Sequence, residues 1–113
     1  MSKTNNSQSG LTSSALGRIS TLFQNHPEIN QVLIYGSRAI GTYLNGSDID
    51  LTIKGDRLTI SVLLAVENEL DDLLLPYKFD VSLYTMITNN DLRNHIDEFG
   101  QIIYQKKATK QQP

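Results

Sequence analysis

Asp48 and Asp50 stand two apart in the run Ser47-Asp48-Ile49-Asp50-Leu51-Thr52-Ile53-Lys54, where apolar and polar residues alternate. A period of two is that of a half-buried strand, so both carboxylates project from one face, their Cα atoms about 6.6 Å apart. Two carboxylates on one polar face repel and raise each other's pKa unless a cation stands between them. A hard oxygen site of this kind suits magnesium, with manganese as the alternative. Asp80 repeats the phase in Lys78–Tyr84: Phe79, Val81 and Leu83 point one way, Asp80, Ser82 and Tyr84 the other. If the two strands are neighbours, three acids converge. They can then hold two metal ions about 3.5–4 Å apart, which stabilises both the attacking and the leaving oxygen of an in-line phosphoryl displacement. Asp80 is also placed to take the proton of an acceptor hydroxyl as general base.

Gly36-Ser37 directly follows the apolar run Gln31–Tyr35. A glycine there lets the backbone approach phosphate oxygens, and the adjoining amides with the Ser37 hydroxyl can donate hydrogen bonds to them. Arg38 adds a planar guanidinium that suits a phosphate or a structural carboxylate equally well. Ser47 can bind phosphate or close the turn ahead of the strand. Taken singly these signals are bland: Gly-Ser after a strand is an ordinary turn, and Asp-x-Asp an ordinary solvated strand face. Joined at one spacing, they describe a site for a nucleoside triphosphate held through divalent metal.

The elements that must position these residues alternate along the chain. Leu16, Ile19 and Phe23 recur at helical spacing from about Thr12 to Asn25, with Ser13 or Ser14 as cap and His26-Pro27 as stop. Gln31–Tyr35 reads as a strand, followed by a glycine-punctuated stretch to Ser47 with room for a short helix. The strand Asp48–Lys54 comes next, then a helix from about Leu58 to Leu74, marked by Leu63, Val66, Leu70 and Leu73 and ended by Pro76. After the strand Lys78–Tyr84, Asn89 or Asn90 caps a last helix carrying Leu92, Ile96 and Phe99. Gly100 ends that helix and Gln101–Gln105 forms a final strand. This order predicts an α/β or α+β sandwich, a small sheet with helices on one face and the other face open. His26 and His95 read as surface or satisfied structural histidines and receive no role.

With 113 residues, 39% of them hydrophobic, the chain fits one compact domain with a modest core. We expect a folded unit at 11–105 between a mobile polar N-terminus, 1–10, and a mobile tail, 106–113. A formal charge of −2 and a pI near 5.5 disfavour a broad basic face for nucleic acid, so no direct nucleic-acid contact is expected. The absence of cysteine excludes disulfides, thiolate zinc sites and a cysteine nucleophile. No apolar run approaches the roughly 20 residues that span a bilayer, so a cytoplasmic protein without membrane contact is expected.

The run Gly36-Ser37-Arg38-Ala39, then Gly41, then Ser47-Asp48-Ile49-Asp50-Leu51, resembles the signature of the minimal nucleotidyltransferases (MNT) of the DNA polymerase β-like superfamily: Gly-Ser, ten residues, Asp-x-Asp. The resemblance spans most of residues 12–105, since the first helix, the strand Lys78-Phe79-Asp80-Val81 and the closing Gly100-Gln101-Ile102-Ile103-Tyr104 fall in the family's order. It implies a polymerase-β-like fold, Gly36 and Ser37 as the triphosphate turn, Asp48 and Asp50 as ligands of two magnesium ions, and Asp80 as third carboxylate. Small proteins of this type are usually the antitoxin half of a pair whose toxin is an all-helical HEPN ribonuclease. The resemblance thus implies transfer of AMP from ATP to a toxin tyrosine, within a hetero-oligomer. Two alternatives are an antitoxin that only masks its partner and a transferase for a small hydroxyl acceptor such as an aminoglycoside. One departure is Ile40, where many relatives carry a second basic residue.

Overall fold

The structure, a computed structural model, describes residues 9–44 and 46–107. The expected mobility of the two termini concerns mainly residues 1–8 and 108–113, outside the described residues. Four strands, β1 (Ile29–Tyr35), β2 (Ile49–Gly55), β3 (Phe79–Leu83) and β4 (Gln101–Gln105), form one mixed sheet in the order β3-β2-β1-β4. β1 runs antiparallel to both β2 and β4, whereas β2 and β3 are parallel. A parallel pair needs a crossover, and α3 (Ile60–Asp72) supplies it. Among the described residues the chain also forms α1 (Ser13–Gln24), the single-turn α2 (Ser37–Ile40), a 3-10 turn at Tyr84–Met86 and α4 (Asn90–Phe99). This is the mixed α/β architecture expected, with every element in the expected order.

Each long helix starts on a side-chain cap that satisfies an otherwise orphaned amide. Thr12 caps α1, its Oγ1 accepting from Ala15 N at 3.0 Å; the expected Ser13 and Ser14 are already helical, because Thr12 holds the extended backbone a cap requires. Thr59 caps α3 through Val62 N, and Asn89 caps α4 through Leu92 N. Between α1, α3 and the sheet lies the core. Leu16, Ile19 and Phe23 from α1 and Val66 and Leu70 from α3 meet Val32, Ile34, Leu51, Ile53, Val81 and Leu83, all buried. Burying each such side chain contributes about 1.5–3 kcal/mol, the main term holding the helices to the sheet.

Strand alternation leaves the other sheet face to Leu33 and Tyr35 of β1, Asp50 and Thr52 of β2, and Asp80 and Ser82 of β3. That face is not wholly open. The C-terminal helix α4 lies along it, with His95 edge-on to the Tyr35 ring (centroids 6.3 Å apart), and Gly100 after it approaches Leu33. At the N-terminal side, Ser9 and Leu11 are buried, and Gly10 packs against Tyr43.

Candidate active site

The sequence alone left open whether the strand of Asp80 neighbours that of Asp50. It does: in the parallel β2/β3 ladder Asp50 is the register partner of Asp80, and on its other side Asp50 pairs with Tyr35. Asp50 and Asp80 therefore share a face on adjacent strands. Asp48 precedes β2 by one residue and is exposed, close enough for its charge to act on Asp50. The Asp50 carboxyl is pushed above the usual carboxylate range, first by burial and then by the charges of Asp80 and Asp48. The Tyr35 phenol is raised as well, by burial and by the charges of Asp50 and Asp80, against a hydrogen bond with Ser82. Beneath the acids, the Ser82 hydroxyl donates to Thr52 Oγ1 at 3.2 Å, so the one fully buried polar side chain of β2 is satisfied.

These acids fit a divalent cation in chemistry, being hard oxygen donors that penalise one another while unpaired. They are not gathered into a finished cage: among the described residues no group of three or more His, Cys, Asp or Glu side chains stands close enough to hold a metal ion.

Opposite the acids, Tyr35 ends β1 and the chain turns through Gly36, at φ 75°, into the short α2. This position requires glycine. The conformation is left-handed, and a Cβ there would lie 2.6 Å from Asp50 Oδ2. The Gly36 amide does not point to solvent; it donates to His95 Nε2 at 2.9 Å. The Ser37 carbonyl accepts from Thr42 N, while its hydroxyl makes no hydrogen bond among the described residues. The phosphate-turn reading expected donors from both residues, and here only Ser37 offers a free one.

Arg38 and Ser47 are placed differently from a phosphate-facing pair. Arg38 is 4% exposed; its Nη1 donates to Ser9 O and its Nη2 to Ser47 O, both at 3.0 Å, and its guanidinium lies 4.4 Å from the Tyr43 ring centre. The Ser47 hydroxyl accepts from Leu44 N, closing the turn ahead of β2. Both side chains thus brace the loop that delivers Asp48. Ile40 is 43% exposed, so no second cation stands in that position.

Sequence reasoning missed two residues of this site. Tyr35 carries no signal beyond strand phase. His95 lies one residue before Ile96 on the apolar stripe of α4, and nothing local in the chain says that this helix docks on the acid face. The other histidine, His26, meets Glu69 at 2.9 Å and ties the end of α1 to α3, as a structural histidine would.

A family model described as "Polymerase beta, Nucleotidyltransferase" matches residues 17–109, and the chain belongs to this family. No curated protein matches its sequence significantly. Among solved structures, a toxin–antitoxin crystal structure with AMP-PNP is similar at TM-score 0.66 and 19% identity, over 81% of this chain and 74% of that one. The toxin–antitoxin MntA-HepT gives 0.63 and 15%, over 84% and 74%. A complex of a tri-AMPylated Shewanella oneidensis HEPN toxin with MNT antitoxin gives 0.62 and 16%, over 85% and 74%. At such identities these likenesses establish the fold. Among the described residues, no helix is long and apolar enough to cross a membrane.

Proposed function

We propose that this chain is a metal-dependent nucleotidyltransferase that moves AMP from ATP to a tyrosine of a HEPN-type toxin and so acts as its antitoxin. One observation carries the reading: the in-register pairing of Asp50 with Asp80 on one sheet face, directly against the Gly36-Ser37 turn. The acceptor hydroxyl attacks the α-phosphorus, the bond to the bridging oxygen breaks, and pyrophosphate leaves with that oxygen. Asp80, the more exposed of the in-register pair, accepts the hydroxyl proton. Asp48, Asp50 and Asp80 would hold magnesium, which supplies charge neutralisation at the phosphates. The free Ser37 hydroxyl binds a phosphate oxygen from the opposite side. Arg38 and Ser47 support the loop, and their contact with nucleotide is indirect. The acceptor rests on the similar folds found in toxin–antitoxin complexes, one of them with an AMPylated toxin.

Incubation with ATP labelled at the α-phosphate, magnesium and the protein encoded by the adjacent gene tests this directly. Label should appear on the partner and disappear when Asp48 and Asp50 are replaced by Ala; label that persists in that variant would refute the catalytic assignment. One rival is an antitoxin that masks its partner without chemistry. In that case Asp48→Asn protein protects cells from the toxin as well as the parent does.

A further inference from the structure

We infer that His95 is a positioning residue for the nucleotide site: by holding the Gly36 amide, it fixes the Gly36-Ser37 turn against Asp50. The inference rests on the proposed nucleotide-binding role of that turn. Gly36 has no side chain with which to anchor itself, and cannot acquire one, because its φ is 75° and Asp50 Oδ2 occupies the space. Left alone, a glycine with positive φ is the most mobile point between β1 and α2. Among the described residues its amide is held by the side chain of His95, through the 2.9 Å bond to Nε2. A backbone N–H can only donate, so Nε2 accepts and the ring's proton resides on Nδ1. The ring is itself oriented, packed between Tyr35 at 6.3 Å and Phe99 at 5.4 Å between centroids. Tyr35 immediately precedes Gly36 and pairs with Asp50, so one imidazole joins α4 to both walls of the site. The bond also takes the Gly36 amide out of phosphate contact. Recognition on this side then falls to Ser37, with its orientation set by a helix 59 residues along the chain.

Two variants separate this role from mere packing. In His95→Phe the ring remains and the acceptor is lost; in His95→Gln the side-chain oxygen can reach the same amide. Amide hydrogen exchange of Gly36 in the nucleotide-free protein reads the bond itself. Calorimetric titration with a non-hydrolysable ATP analogue and magnesium reads its consequence. We expect Gly36 exchange to rise about tenfold in His95→Phe and to stay near the parent in His95→Gln. Nucleotide affinity should follow, weakened about five- to tenfold in the Phe variant and restored in the Gln variant. Unchanged exchange and affinity in His95→Phe, or a Gln variant as impaired as the Phe one at equal melting temperature, would overturn the inference. If the parent binds no nucleotide, the functional reading fails, while Gly36 exchange still decides whether His95 holds the turn.

Discussion

Gly36 and Asp50 constrain each other. The carboxylate lies where the first side-chain atom of any other residue would have to be, and the backbone there has a positive φ. Gly36→Ala should therefore destabilise the protein by about 1–3 kcal/mol in denaturant titrations, from strain at that φ together with displacement of Asp50. It should weaken nucleotide binding too. Asp50 also makes a prediction about pH. Its folded pKa is raised above the ordinary value, so between the two the folded state binds more protons than the unfolded, and stability falls as pH rises through that window. Asp50→Asn mimics the protonated form at every pH. The metal-free variant should melt above the parent at neutral pH, and the gap should close as pH drops through the carboxylate range. A gap that widens toward low pH would mean that Asp50 is stabilised as the anion.

At the scale of elements, the loop between α2 and β2 is braced by one buried arginine reaching the Ser9 and Ser47 carbonyls and resting on Tyr43. Replacing Arg38 by Met leaves these acceptors without their charged donor, at about 1.5–3 kcal/mol for each hydrogen bond lost if neither carbonyl is rehydrated. Denaturant unfolding should show that loss. Arg38→Lys should recover little of it, because a single ammonium cannot reproduce the fork that bonds two separate carbonyls. A stability unchanged in Arg38→Met, with nucleotide affinity reduced, would return Arg38 to the phosphate role. The elements themselves were legible in the sequence because their signals are local. Alternation at Ile49, Leu51 and Ile53 and again at Phe79, Val81 and Leu83 gave both strands and the phase of their acids. What local pattern could not supply was adjacency. That Asp80 falls opposite Asp50 depends on the α3 crossover, and that His95 reaches Gly36 depends on where α4 docks. Likewise Arg38 read as a partner for phosphate or a structural carboxylate, because the Ser9 carbonyl that it bonds lies 29 residues away in a segment with no periodic signal.

Across the whole molecule, one sheet separates two jobs. The face under α1 and α3 holds the hydrophobic core, and the opposite face carries the acids, with α4 closing one flank. With a net charge of −2, the chain has no broad attraction for polyanions, so the proposed nucleotide binding rests on divalent cation at the acids. That dependence is the central claim. It is tested most directly by calorimetric titration of a non-hydrolysable ATP analogue into the protein with magnesium, with chelator, and with magnesium into the Asp50→Asn variant. Binding should be seen with magnesium, and chelator or the substitution should weaken it about tenfold or more, the loss of roughly one charge-assisted interaction. Equal affinity in all three titrations would contradict the assignment of Asp50 and its neighbours as the metal–nucleotide site.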